Sequence, residues 1–338
     1  MGKIKVALNG FGSMGHCLVR ALYSEKYRQQ FELVAINELI NPESIARQLQ
    51  HDAIRGDVPH PISLQNNRVQ IGSSVIELFA CADPKQLNWR RLEVDIVIDC
   101  SSVFCRREHA QWHINGGARR VLYAHSADSD VDATVVFGIN QHMLTSRDRI
   151  VSSGSCISNA MIPVIDVLDR AFGVKCGSIT TIRSTDFESS EGNEVLGHGF
   201  QLSQAAGVSV IPVKSGLSRE IERVLPKFKS KFEAIELRSP AQNVITLDLC
   251  VTVCKKVTVS DVNQAIQAAT QGTLQGILNY TEKPLVSIDL NHNSYSCIVT
   301  GSQTHVSDKT LVKVLSWCGN EWGFANRILD TAQYMANL

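Results

Sequence analysis

Through roughly the first 150 positions, short apolar runs alternate with stretches of helical period. Residues 3–9 (KIKVALN) read as a strand, 14–25 as a helix and 31–37 (FELVAIN) as a second strand. Residues 42–50 are helical, with Asn41 placed to cap them. A buried strand follows at 95–99 (DIVID), a helix at 107–115 and a strand at 120–123 (RVLY). Strand–helix–strand repetition builds a parallel sheet with helices on both faces.

The pattern then changes. A long helix is expected over 155–172. After it come long alternating runs at 177–185, 232–237, 244–253, 285–290 and 310–317, with a helix over 259–270 between two of them. This is α+β patterning with an antiparallel or mixed sheet. The segment 321–338 is helical again and is expected to return to the first domain. The expected division is therefore 1–152 with 321–338, and 153–320.

Composition narrows the picture. The 338 residues include 33 Lys+Arg and 33 Asp+Glu, for a formal net charge of zero, and 44% are hydrophobic. Such a chain is not disordered by composition. It also lacks the basic excess of a dedicated nucleic-acid binder. No apolar stretch approaches the ~18 residues that span a bilayer. The opening MGKIKVALNGFG is unlike a signal peptide, and Val6 breaks the myristoylation pattern. The expectation is a cytoplasmic protein bound to neither membrane nor nucleic acid. Ten cysteines in so long a chain do not suggest a disulfide-stapled mini-domain. No CxxC pair occurs, so no metal site is expected. Cys250 and Cys254 read as core thiols on one face of an alternating run.

Two motifs carry chemistry. Gly10, Phe11, Gly12, Ser13, Met14 and Gly15 spell GxGxxG between a strand and a helix. Gly10 suits a tight turn, Gly12 admits a pyrophosphate, and Gly15 permits close helix–strand packing. The helix N-terminus offers free N–H groups to phosphate. Glu38 follows Gly15 by about 20 residues, where a carboxylate accepts from ribose hydroxyls and repels a 2′-phosphate, favouring NAD over NADP. The second motif is 150–159 (IVSSGSCISN), which places Cys156 at or near a helix start. Free N–H groups and the helix dipole lower a thiol pKa there. By itself this residue reads more readily as a small buried thiol than as a nucleophile.

Taken together, the blocks resemble the phosphorylating aldehyde dehydrogenases, the family of glyceraldehyde-3-phosphate dehydrogenase and its relative erythrose-4-phosphate dehydrogenase. Residues 9–15 (NGFGSMG) are similar to NGFGRIG, 152–159 (SSGSCISN) to SNASCTTN, and 317–330 (WCGNEWGFANRILD) to WYDNEWGYSNRVLD. Residues 34–38 (VAINE), 132–141 and 276–288 lean toward the erythrose-4-phosphate branch. The resemblance implies an α/β fold: an N-terminal Rossmann NAD-binding domain and an α+β catalytic domain with a mixed or antiparallel sheet. It also implies NAD-dependent oxidation of a phosphorylated aldehyde by a homotetramer. In the erythrose-4-phosphate branch the product is 4-phosphoerythronate, which feeds pyridoxine-type cofactor biosynthesis. The implied site has Cys156 as nucleophile. NAD would lie on Gly10 to Gly15, Glu38, Ser101 and Asn320. Substrate phosphate would lie on Ser155, Ser158, Ser215, Gly216 and Arg238. Residues 196–209 would reach a neighbouring subunit's cofactor site.

The chain departs from the family pattern within that site. Residues 180–184 read TTIRS, so Arg183 stands where the family has its catalytic histidine. A guanidinium holds a thiolate by charge but does not accept a proton at ordinary pH. Losing a general base costs ~10²–10⁴ in rate. Asp186, Glu188, Glu191, Glu194 and His198 are nearby substitutes in sequence. Gln204 replaces a phosphate-binding arginine, Ser13 replaces an arginine in the glycine loop, and Ser101-Ser102 replaces Thr-Gly. Three readings follow: a slow sugar-phosphate dehydrogenase, an inactive NAD-binding paralogue acting as sensor or partner subunit, and an enzyme of changed chemistry.

Overall fold

A computed structural model describes residues 2–52, 56–184, 208–240, 244–319 and 321–338. The chain forms two compact units. The first comprises Met1–Phe137, Gln141–Ser155 and Ala325–Leu338, and the second comprises Gly138–Asn140 and Cys156–Phe324.

In the first unit the order is β1 (Ile4–Asn9), α1 (Ser13–Leu22), β2 (Phe31–Asn37), α2 (Pro42–Gln50), β3 (Ile62–Gln65), β4 (Arg68–Ile71), β5 (Ser74–Phe79), β6 (Ile96–Asp99), α3 (Arg107–Asn115), β7 (Arg120–Tyr123), β8 (Ala133–Thr134) and β9 (Ile150–Ser152). The sheet runs β3-β4-β5-β2-β1-β6-β7-β9-β8. Pairing is parallel from β5 through β2, β1, β6, β7 and β9 to β8. All four residues of β6 are buried, as a strand covered on both faces requires. The Asn41 side chain caps α2 by accepting the Ser44 N–H at 2.8 Å. Helix α1 stops at Leu22, short of the expected 25. Strands β3 to β5 form two hairpins not foreseen from the sequence.

The second unit opens with α4 (Cys156–Phe172) and continues through β10 (Val174–Ser184), β11 (Ile211–Lys214), α5 (Leu217–Val224), β12 (Phe232–Ser239), β13 (Ile245–Val253), α6 (Val259–Gln271), β14 (Leu278–Thr281), β15 (Cys297–Thr300), β16 (His305–Ser307) and β17 (Leu311–Cys318). Its sheet runs β11-β12-β10-β13-β17-β15-β14, with β16 pairing β17. Neighbours are antiparallel except for the parallel pairs β10–β12 and β14–β15. The architecture is therefore a Rossmann-type α/β unit followed by an α+β unit with a mixed sheet.

Two expectations are corrected here. Residues 285–290 are not a strand. Ser287–Leu290 form a single 3-10 turn, closed by the Asp289 carboxylate accepting the Val286 N–H at 2.9 Å, and Val286 and Ile288 are exposed. Cys250 and Cys254 are not core thiols. β13 alternates strictly, with Ile245, Leu247, Leu249, Val251 and Val253 inward. Cys250 falls on the other face, half-buried, and Cys254 is exposed.

The terminal helix α7 (Trp322–Ala336) contributes its residues from Ala325 onward to the first unit. Asp330 accepts from the buried Tyr27 hydroxyl at 2.8 Å, from Lys26 Nζ at 2.9 Å and from Arg327 Nε at 2.9 Å. Burial and the adjacent Asp330 charge push the Tyr27 phenol far above its ordinary pKa, so it stays a donor. Arg327 is only 2% exposed. Removing its carboxylate leaves a buried cation poorly balanced. Asp330→Ala should therefore cost about 3 kcal/mol, and Tyr27→Phe about 1 kcal/mol. Chemical denaturation of the two variants checks the ranking.

Candidate active site

The glycine loop sorts its three glycines by physical role. Gly10 has φ +96°, and a Cβ there would meet the Ser101 nitrogen at 2.8 Å. Gly15 lies against the Gly10 carbonyl, which a Cβ would meet at 3.0 Å. A Cβ at Gly12 would meet nothing within 4 Å. Its missing side chain serves no packing need inside the protein and leaves the α1 N-terminus open. That opening, at the positive end of the helix, fits a pyrophosphate. Ser13 is exposed and Met14 half-buried at the helix start. The Phe11 side chain is buried against His16, with ring centroids 4.3 Å apart, so only its backbone belongs to the loop.

Glu38 holds the loop from below. One carboxylate oxygen accepts the Phe11 N–H at 2.6 Å and the other accepts the Leu39 N–H at 2.7 Å. A carboxylate has about four acceptor sites, so capacity for ribose hydroxyls remains. Ser102 takes φ +57°, a left-handed conformation that favours glycine. The Thr-Gly of the family pattern would relax there.

Beneath these loops lies a buried polar chain that sequence reading did not single out. Asp99, at the end of β6, is 0% exposed. It accepts from Asn9 Nδ2 at 2.9 Å, Ser101 N at 2.9 Å and Ser101 Oγ at 2.6 Å. Asn9 in turn accepts from Asn37 Nδ2 at 2.8 Å. His113 Nε2 is 3.4 Å and His125 Nε2 3.9 Å from the Asp99 oxygens. Trp89 donates to His113 Nδ1 at 3.0 Å, which leaves the ring proton on Nε2, facing Asp99. Burial pushes the Asp99 carboxyl up, but the hydrogen bonds and charge of the two imidazoles overcome it and hold the pKa well below the carboxylate range. The Ser101 hydroxyl is thus committed to Asp99, and its place in the loop is structural as much as ligand-facing.

In the second unit Cys156 is the first residue of α4 and is half-buried. Ser158 is fully buried in the same turn. Arg183 on β10 and Arg238 on β12 are directly paired across parallel strands. Between them sits Glu236, missed in the sequence reading although it lies two residues before Arg238 on the same strand face. Glu236 Oε1 is 2.9 Å from Arg238 Nε and 3.8 Å from Arg183 Nη1. All three side chains are at most 16% exposed. Two guanidiniums thus meet at one carboxylate in a poorly solvated place. Cys318, at the end of β17, contacts Cys156: its Sγ lies 3.6 Å from the Cys156 carbonyl oxygen. Ser215 follows β11, and its Oγ accepts the Leu217 N–H at 3.3 Å. Gly216 caps the N-terminus of α5, with open space where a Cβ would be.

Asn320, Gln204, Asp186, Glu188, Glu191, Glu194, His198 and residues 196–207 lie outside the described residues. Among the described residues no cluster of three or more His, Cys, Asp or Glu is placed to hold a metal ion. None of their helices is long and apolar enough to cross a membrane.

A nucleotide-binding α/β unit followed by a thiol-bearing α+β unit defines a two-part dehydrogenase. Residues 4–107 match the family model described as glyceraldehyde 3-phosphate dehydrogenase, NAD binding domain, and residues 155–320 match that of its C-terminal domain. The chain belongs to the glyceraldehyde 3-phosphate dehydrogenase family. Its cofactor is NAD, and the family chemistry is NAD-dependent oxidation of a phosphorylated sugar aldehyde.

The Asp99 chain yields a pH prediction. A carboxyl depressed on folding supplies stability that is present above its unfolded pKa of about 3.9 and is lost as pH falls below it. Asp99→Asn should cost about 3 kcal/mol at neutral pH, and the two stability curves should converge in acid. Curves that stay parallel into acid would show that Asp99 acts by shape and not by charge.

Proposed function

We propose that this protein is an NAD-dependent dehydrogenase of the erythrose-4-phosphate type whose catalysis is altered by Arg183. The observation that carries this reading is the Arg183–Glu236–Arg238 cluster: the position of the family's base holds a guanidinium tied into a buried ion group.

Cys156 acts as nucleophile. Its helix-start position favours the thiolate. The thiolate attacks the aldehyde carbon, the C–S bond forms, and the carbonyl oxygen takes the electron pair and then a proton, giving a hemithioacetal. NAD, when bound, accepts the hydride that this species gives up. Glu38, Ser101, Asn320 and the glycine loop hold the cofactor. The hemithioacetal hydroxyl must also lose its proton to become a thioester, and Arg183 does not take it. Arg183 instead stabilises negative charge on sulfur or oxygen. Proton removal then falls to solvent, with a rate cost of ~10²–10⁴. Arg238, Ser215, Gly216, Ser155 and Ser158 form the phosphate side, where Gln204 supplies less charge than an arginine.

The same guanidinium favours a second reading, an NAD-binding paralogue without turnover that works as a sensor or partner subunit. In either case we place the protein in the cytoplasm as a homotetramer. Ile182 and Ile235, exposed on one face of the paired strands β10 and β12, support a subunit contact there.

Rapid mixing with NAD and erythrose 4-phosphate or glyceraldehyde 3-phosphate should give an NADH burst that Cys156→Ala abolishes. Absence of a burst in a protein that binds NAD would leave the second reading. Arg183→His combined with Gln204→Arg should raise turnover at least about tenfold by restoring a base and a phosphate ligand. Unchanged turnover would mean that Arg183 has a mechanistic part of its own.

A further inference from the structure

The second buried thiol beside the nucleophile has no part in the mechanism above. Cys318 is 2% exposed, and its Sγ lies 3.6 Å from the Cys156 carbonyl oxygen and 3.4 Å from the Gly319 carbonyl oxygen. The neighbouring Cys156 thiol is the first cause raising the Cys318 pKa, ahead of burial. One S–H proton therefore has two neutral carbonyls in contact and, as a third acceptor, the neighbouring sulfur that changes charge. While Cys156 is a thiol, the carbonyls are the better acceptors. When Cys156 ionises, its anion becomes the best of the three, because a hydrogen bond to a charged acceptor is about twice as strong as a neutral one.

We propose that Cys318 is a positioning residue for the nucleophile, a donor that engages the Cys156 sulfur when that sulfur is ionised and so lowers its pKa. The inference rests on the reading of Cys156 as nucleophile. The other charged or titratable groups that act on Cys318 are Arg183 on β10, which is cationic, and Cys297 on β15. Cys297 is itself buried, and burial pushes its thiol up to about 12 against an opposing hydrogen bond with Ser316, so it stays neutral. Arg183 is anchored by Glu236. Cys318 thus offers the Cys156 thiolate a switchable donor. The donor also lets go: once the sulfur is acylated it carries no charge, and the Cys318 proton returns to the carbonyls. Cys318 neither forms a bond to substrate nor removes a proton from it.

The test measures alkylation of Cys156 by iodoacetamide against pH, in reduced protein without substrate or NAD, with peptide mass mapping to isolate Cys156 from the other cysteines. It reads the thiolate directly, so its outcome is independent of whether the dehydrogenase assay succeeds. Cys318→Ala should raise the Cys156 pKa by about one unit and slow alkylation near pH 6.5 about tenfold. Cys318→Ser, which keeps an O–H donor, should restore most of the rate. Superimposed wild-type and Cys318→Ala profiles would overturn the proposal, as would a Cys318→Ser shift as large as that of alanine. If Cys318→Ala does not fold, the infrared S–H stretch of the wild-type protein decides. A band that moves to lower frequency as Cys156 ionises, and is static in Cys156→Ala, supports the proposal, and a static band in both overturns it.

Discussion

A single buried carboxylate organises the nucleotide-binding end of this protein. Asp99 sits at the C-terminal end of a strand buried on both faces, where an unpaired charge would be untenable. It is paired on every side. Asn9 and Asn37 extend its bonding across the neighbouring strands, Ser101 fixes the next loop, and two imidazoles lie against its oxygens. The glycine loop is built on this frame. The Ser101 backbone it fixes is the surface that Gly10 packs against at a distance only glycine tolerates. The shape of the glycine loop therefore depends on groups buried away from it.

The second unit manages charge differently. Its arginines stand side by side because β10 and β12 run parallel in register, and Glu236 is what makes that adjacency tolerable. Two neighbouring guanidiniums are the kind of grouping that an anionic group can meet.

Much of this was legible in the sequence. The parallel sheet followed from apolar runs separated by helical stretches, and Asn41 was readable as a cap because its side chain has only a local task. The glycine roles followed from spacing alone. Other features are products of topology. Glu236 lay two residues from Arg238, yet its meaning depends on Arg183, brought alongside from over 50 residues away. Asp99 looked like the last residue of an apolar strand, and its partners come from four other segments. Cys318 meets Cys156 only because β17 ends beside the start of α4. Residues 285–290 misled because Val286, Ile288 and Leu290 alternate as in a strand, whereas Asp289 draws the backbone into a turn. Strands β3 to β5 were missed because each is short, although Asn66 and Gly72, both at positive φ, marked their turns.

Glu236 also bears on how the protein can change over evolutionary time. Its closest contact is with Arg238, not Arg183. If position 183 lost its charge, Glu236 and Arg238 would remain as a matched pair. Position 183 is thus a site where histidine and arginine can exchange with little penalty to folding. The fold insulates its own stability from that one choice, so a lineage could cross between the two residues in either direction without first acquiring a compensating change.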